Sequence, residues 1–387
     1  MKKQDNPGKN LLKGNKKLKI VHIITGLGVG GAEIHLLKTL PLMKDTNNVV
    51  CSVTSANEIG KKISCTEIRV IYLSEESKEK KIRIMDVIKN LKKVINEEKP
   101  DILSTYLIHS DLLGRVLGKI TGVKKVICNV RVTEQKKYLL FLERSSKFLV
   151  DEYIANSNSV KAFLVKNQKI NPEVIHVIPN GIDLKKIEKI KPIGAGKISN
   201  VLIRNDDYLI VCVGRLHEQK GQIYLIRAMK KVISACSNAK LIFVGDGEKR
   251  KEYEEEIKLL ELEDNVFLIG KRESEDTISI MKSSGLFVLP TNYEGMSNSI
   301  LEAMACKLPI ITTSIPENKE LITNEKEGIL VNPKDADALA EKIIFAIKNR
   351  KKTRSFAEAA FRKVRKYDIQ KTAKMFEKEY KKIMKVD

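Results

Sequence analysis

Three short stretches of this 387-residue chain carry residue types suited to holding an anion. The first is Gly26-Leu27-Gly28-Val29-Gly30-Gly31-Ala32-Glu33, directly after an apolar run and opening a helical one. Glycine permits tight turns and close main-chain approach, and a helix N-terminus favours negative charge. Gly30 and Gly31 are therefore candidate phosphate contacts. A dinucleotide-binding oxidoreductase would use a similar loop but needs an acidic residue about 20 positions on, closing the second strand. That strand ends Val53-Thr54-Ser55. A tight turn with no ligand is the plainer alternative. The second stretch is Val213-Gly214-Arg215-Leu216 with Lys220-Gly221. Arg215 offers phosphate a planar fork and Lys220 a mobile point charge, so the two could neutralise a diphosphate. Two solvated loop cations would be the bland reading.

The third stretch, Glu294-Gly295-Met296-Ser297-Asn298-Ser299-Ile300-Leu301-Glu302, follows an apolar run and Pro290. Ser297 suits an N-cap, with a helix expected from about 298 to Lys307, stopped by Pro309. The amides of Gly295, Met296 and Ser297 would point out at the positive end of its dipole. Glu294 and Glu302 flank that mouth, and carboxylates accept hydrogen bonds from sugar and ribose hydroxyls. The alternative is a capped helix with two surface glutamates.

Elements must hold these stretches in place. Apolar runs at Leu18–Thr25, Val49–Val53, Ile68–Leu73, Asp101–Tyr106, Val126–Arg131, Tyr153–Ala155 and Val174–Ile178 read as strands, with helical stretches such as Ile82–Glu97 between them. Around residues 184–206 the period is lost. It restarts with strands at Tyr208–Val213, Lys240–Val244, Val266–Ile269, Leu286–Leu289, Ile310–Thr312 and Gly328–Val331. Such alternation implies α/β architecture: two doubly wound parallel sheets, helices on both faces, and a cleft between them. The expected division is a basic tail over 1–17, a first domain over 18–190, a linker over 191–206, a second domain over 207–365 and a terminal helix over 366–387. A lysine-rich start before an apolar run resembles a secretory signal. His22 inside the run and the glycines after it favour a first buried strand instead.

The net charge is +22, from 71 Lys+Arg against 49 Asp+Glu. The lysines are scattered without interleaved aromatics and Trp is absent, so nucleic acid is not an expected partner. An anionic membrane face, or plain solvated surface, accounts better for the charge. No apolar run is long enough to span a bilayer. The six cysteines form no C-x-x-C pair and read as buried free thiols of a reducing, cytoplasmic setting. The histidines show no metal-ligand spacing, and neither a metal nor an organic cofactor is expected.

The whole set, in this order along the chain, resembles glycosyltransferase family 4, retaining enzymes of the GT-B fold. The motifs that carry the resemblance are Gly30-Gly31-Ala32-Glu33, Val177-Ile178-Pro179-Asn180-Gly181-Ile182-Asp183, Val213-Gly214-Arg215-Leu216 with Lys220-Gly221, Val244-Gly245-Asp246-Gly247 and Glu294 to Glu302. The resemblance implies that Arg215 and Lys220 bind a donor diphosphate beside Gly214, that Glu302 holds the ribose, and that Glu294 contacts the transferred sugar. It implies that Gly295, Met296, Ser297 and Asn298 cradle phosphate or hydroxyls, that Gly270-Lys271-Arg272 lies against the base, and that the terminal helix crosses back over domain one. Many relatives carry a His-x-His pair after the fourth strand. Here the stretch is Ser104-Thr105-Tyr106-Leu107-Ile108-His109-Ser110-Asp111, without the pair. Some relatives also have a histidine at the place of His109, which is a candidate active-site group or, alternatively, a residue that caps or packs the following helix. Tyr106 and Arg131, ending neighbouring strands, are assigned to the acceptor.

The expected chemistry is transfer of a hexose or N-acetylhexosamine from a nucleotide-diphosphate sugar, UDP before GDP. The acceptor would be a glycan or a lipid-linked molecule in cell-surface polysaccharide synthesis, with the enzyme cytoplasmic and peripheral at the inner membrane face. No Asp-x-Asp metal motif sits at a strand end; Asp206-Asp207 precedes a strand and reads as a turn. The competing readings are another GT-B enzyme (synthase, phosphorylase or nucleotide-sugar epimerase) and a non-catalytic carbohydrate-binding scaffold.

Overall fold

A computed structural model of the chain describes residues 17–28, 30–54, 58–74, 83–132, 136–194, 196, 198, 201 and 203–385. All but Lys17 of the expected basic tail therefore lies outside the described residues, as does Val29 of the glycine loop. The first sheet comprises β1 (Leu18–Ile24), β2 (Thr46–Ser52), β3 (Arg69–Tyr72), β4 (Ile102–Tyr106), β5 (Lys125–Val130), β6 (Glu152–Ala155) and β7 (Ile175–Val177). The second comprises β8 (Tyr208–Val213), β9 (Ala239–Val244), β10 (Val266–Leu268), β11 (Leu286–Leu289), β12 (Ile310–Thr313) and β13 (Ile329–Val331). Every strand expected from the sequence is present. A parallel strand is covered on both faces, so its sequence is apolar almost throughout rather than alternating. β8 and β11 are buried along nearly their whole length for this reason.

Strand order is β3-β2-β1-β4-β5-β6-β7 in one sheet and β10-β9-β8-β11-β12-β13 in the other, every pairing parallel. In each sheet the winding direction reverses beside the first strand, between β1 and β4 and between β8 and β11. Ligands of open α/β sheets bind outside the carboxyl ends of strands at such reversals. The glycine loop, His109, Arg215 and Glu294 all lie just beyond those four strands.

The terminal helix Ile369–Lys385 does not pack on the sheet that precedes it. Ala373, Phe376, Tyr380 and Ile383 fall on one face and enter the core of the first domain, with Ile20, Leu36 and Tyr106. The crossing is fixed by main-chain pairing with the outward chain: Ile182 N–H donates to Tyr367 O (2.8 Å) and Ile369 N–H to Ile182 O (3.0 Å). Gly181 has no room for a side chain here, because a Cβ would lie 2.7 Å from the Cα of Ile369.

The cysteines are free, and Cys51, Cys128 and Cys212 are buried in strands. Cys65 departs from the expected burial: it follows the helix Glu58–Ser64 and is exposed. Asp206-Asp207 forms the turn before β8, where Asp207 accepts from the Arg204 amide (2.8 Å).

Candidate functional site

The two loops at the second sheet's reversal are tied together. Asn292 N–H donates to Gln219 O (2.7 Å), the Gln219 side chain donates to Tyr293 O (2.9 Å), and the Asn292 amide donates to Glu218 O (2.8 Å). Gly221, at φ 62°, lies so close to the Pro290 carbonyl that a Cβ would be 2.2 Å from its oxygen. These contacts hold the chain after β8 against the chain after β11. As a result Lys220 and Glu294 form a direct ion pair in a mostly buried setting. The Lys220 stem lies over Gly214, where an added Cβ would sit 3.7 Å from it. The expected diphosphate cation is thus already neutralised by the carboxylate expected to hold the sugar.

Arg215 is exposed and makes no side-chain hydrogen bond among the described residues. Its charge reaches Glu33 of the first domain. Burial raises the Glu33 carboxyl above its usual pKa, opposed by its own amide and by the charges of Arg215 and Arg131. The Glu33 side chain folds back over Gly30, with a carboxylate oxygen 2.4 Å from where a Cβ there would stand. It therefore covers the mouth that Gly30 and Gly31 would offer a phosphate. Gly31 lies close to domain two, within 3.8 Å of Asn298 by the same measure.

The helix Asn298–Ala305 begins at Ser297, whose hydroxyl accepts from Ile300 N–H (3.4 Å). The N–H groups of Gly295, Met296 and Ser297 find no acceptor among the described residues. Donors left over at a helix start, together with the positive end of the dipole, attract an anion. Domain one presses on this loop. A Cβ on Gly295 would lie 1.8 Å from the Arg131 carbonyl oxygen. Glu302, one turn in, pairs with Lys38 from the first domain at 3.5 Å.

Asn180 links the halves. Its side chain donates to Met296 O (3.1 Å) and Asn298 Oδ1 (2.8 Å), and accepts from the Arg131 guanidinium. Burial pulls Arg131 down to about 10, opposed by Tyr106, Tyr380 and Glu33. Nothing in the spacing of the sequence marks Glu33, Lys38 or Asn180 as site residues, although Asn180 lies within the Pro179-Asn180-Gly181 motif. The signal for Asn180 was a buried-type polar residue in an otherwise unexplained Pro-Asn-Gly turn.

Three other expected residues sit differently. His109 is exposed in the first turn of the helix Ile108–Ile120, beyond β4. Before it, Leu107 takes φ 72°, a conformation costing a side-chain-bearing residue about 1–3 kcal/mol. Tyr106 does not face the cleft. It is 1% exposed, its ring lies between His22 and His35, and the terminal helix covers it. The assignment of Tyr106 to an acceptor is corrected by that placement. Lys271 is drawn away to Glu58 of domain one, and Lys62 there reaches Glu273 at 2.9 Å. Gly270 keeps φ 75° and its carbonyl accepts from Gly245 N–H (3.0 Å), while Arg272 is half-buried beside it.

On the opposite flank a cavity of about 1010 Å³ opens between the helix Asn158–Gln168 and the segment around Glu317 and Glu320. Tyr293 and Asn292 line it next to the Lys220–Glu294 pair. Glu320 bridges the domains by accepting from Ser159 N–H (2.6 Å) and Asn158 N–H (3.0 Å). Burial pushes the Glu317 carboxyl up, helped by Glu294 and Glu320. Among the described residues no group of three or more His, Cys, Asp or Glu is arranged to hold a metal ion.

Two doubly wound parallel-sheet domains meeting over a cleft are the GT-B architecture. Residues 29–186 match the family described as Glycosyltransferase Family 4, and residues 197–363 match Glycosyl transferases group 1. The UDP-Gal:alpha-D-GlcNAc-diphosphoundecaprenol alpha-1,3-galactosyltransferase of Escherichia coli is 30% identical over 274 residues, 68% of this chain and 70% of that protein. The capsular polysaccharide biosynthesis glycosyltransferase CapM of Staphylococcus aureus is 28% identical over 85% of this chain and 87% of its own. Anabaena Alr3699/HepE, solved in complex with UDP, superposes with a TM-score of 0.80 at 19% identity, covering 94% of this chain and all of that one. The chain belongs to glycosyltransferase family 4.

Proposed function

We propose that this glycosyltransferase moves a hexose or N-acetylhexosamine from a nucleoside-diphosphate sugar, UDP in preference to GDP, to a lipid-linked glycan acceptor, with retention at the anomeric carbon. The observation that carries the donor site is the convergence of Arg215, Lys220 and the open amides of Gly295 to Ser297 at one strand reversal. Fixed cations and dipoles aimed at charge that develops on a leaving group are usually the largest catalytic contribution. In this reading a bound diphosphate takes Lys220 from Glu294, which frees that carboxylate for a sugar hydroxyl. The bond between the anomeric carbon and the β-phosphate oxygen breaks. The acceptor hydroxyl attacks from the same face, and its proton passes to the departing phosphate oxygen. Glu302 turns from Lys38 to the ribose, and His109 and Arg131 stand on the acceptor side.

The acceptor reading draws support from the Escherichia coli relative, whose acceptor is alpha-D-GlcNAc-diphosphoundecaprenol, and from the capsular polysaccharide role of CapM. The cavity beside Tyr293 has room for several sugar rings. Incubating the enzyme with UDP- and GDP-sugars and a polyprenyl-diphosphate glycan, then analysing product mass and anomeric configuration, tests the proposal. An α-linked product from an α-linked UDP-sugar is expected; an inverted linkage or a phosphorolysis product would refute it.

A further inference from the structure

We propose that the helix Lys137–Ser145 and the turn after it form a membrane-docking surface for anionic lipid, which rests on the lipid-linked acceptor reading above. Tyr138, Phe141 and Phe148 are 61%, 70% and 76% exposed, and Leu142 is exposed beside them. Positions 138, 141 and 142 share one face of the helix, and Leu139, at its edge, is buried against the domain. Isolated exposed apolar residues are ordinary, but two phenylalanines, a tyrosine and a leucine within eleven positions make a patch that water disfavours.

Charge identifies the occupant. Lys137 and Arg144 stand exposed around the apolar face, and Lys147 is anchored at its edge by donating to Lys169 O (2.7 Å). An apolar face rimmed by cations lies in the headgroup region of anionic bilayers. Among the described residues no helix is long and apolar enough to cross a membrane, so attachment of this kind would be peripheral. Position supports the same occupant. The helix Lys137–Ser145 packs against Asn158–Gln168, joined to it where Gln168 donates to Glu143 (3.1 Å). Ala162, Phe163 and Lys166 of that second helix line the cavity beside the Lys220–Glu294 pair. A lipid-anchored acceptor held at the patch would thus have its glycan next to the cleft.

The test uses the full chain and vesicles of phosphatidylcholine with and without phosphatidylglycerol, at low and high salt. Binding is expected only to the anionic vesicles, weakened by salt, and reduced by roughly tenfold or more in the Phe141→Ser/Phe148→Ser variant, which keeps every cation. The chain contains no Trp, so Phe148→Trp adds a single reporter, expected to shift to shorter wavelength on binding. Unchanged vesicle binding by the double serine variant, or an unshifted tryptophan, would overturn the proposal. So would a dimer in sedimentation that the serine variant dissociates, since the patch would then face a second copy. Transfer to a water-soluble acceptor reads the enzyme proposal separately and is expected to survive in both variants.

Discussion

Arg215 and Lys220 both lie in the chain after β8 but act on different carboxylates. The charge of Arg215 acts on Glu33 of the other domain; Lys220 is held by Glu294. Arg215→Ala or Lys220→Ala is expected to lower turnover by about a hundredfold or more, the effect of removing a preorganised donor from a developing anion. Steady-state kinetics would check it, and near-normal turnover in either variant would count against both roles. Asp111 offers a separate test through pH. Its carboxyl is buried in the helix Ile108–Ile120, one oxygen finds no hydrogen-bond partner among the described residues, and burial raises its pKa from 3.8 to about 6 against the pull of Arg115. Between those values the folded state binds the extra proton, so this group's contribution is full below about 4 and is lost as pH rises to about 6. The stability of Asp111→Asn relative to wild type is therefore expected to climb across that window and level off above it, measured as melting temperature against pH. A parallel pair of curves would contradict the assignment. Residue roles were legible in part. Gly214 directly follows β8 and Ser297 caps the helix Asn298–Ala305, positions the apolar runs make readable, whereas Lys220 ends a short turn seven residues beyond β8. The Lys220–Glu294 pair was not foreseen, although the reversal between β8 and β11 makes those two loops neighbours.

At the scale of elements, glycine records how close the domains come. Gly295→Ala would drive a methyl into the Arg131 carbonyl, so the loop and β5 must separate. We expect the variant to fold and to lose most transfer activity, with the loss appearing in turnover; unaltered kinetics would mean the domains part freely at this point. The terminal helix is the other element that joins the halves. Phe376→Ala is expected to cost about 3–5 kcal/mol by denaturant unfolding, since the ring packs on His35 and Tyr380 in the core of domain one. The strands were readable because double-sided burial gives unbroken apolar runs. Tyr106 was misread for a reason of parity: Ser104, two residues before it, meets Tyr380 at 3.1 Å, so both side chains point under the terminal helix. Sequence spacing does not reveal which side of a sheet a distant helix will cover.

Across the whole molecule the cleft is bounded by polar contacts on both flanks, with Lys271–Glu58 and Lys62–Glu273 on one side and Glu320 at the start of the helix Asn158–Gln168 on the other. Exposed ion pairs contribute only about 0–1 kcal/mol each, so the lysine pairs are weak and salt-sensitive. Glu320 accepts main-chain donors at a helix start and is the firmer contact. Glu320→Ala is expected to raise the radius of gyration in small-angle scattering, and an unchanged radius would place the closure elsewhere. The account as a whole requires a sugar nucleotide to be held by the groups beyond β8 and β11. Thermal shift of the wild type and of Arg215→Ala/Lys220→Ala with UDP-sugars measures this most directly, because a ligand at a hundredfold excess over its dissociation constant stabilises by about 2.7 kcal/mol. A rise in melting temperature with UDP-sugar that the double variant loses is the expected result; no rise in the wild type, or an equal rise in the variant, would contradict it.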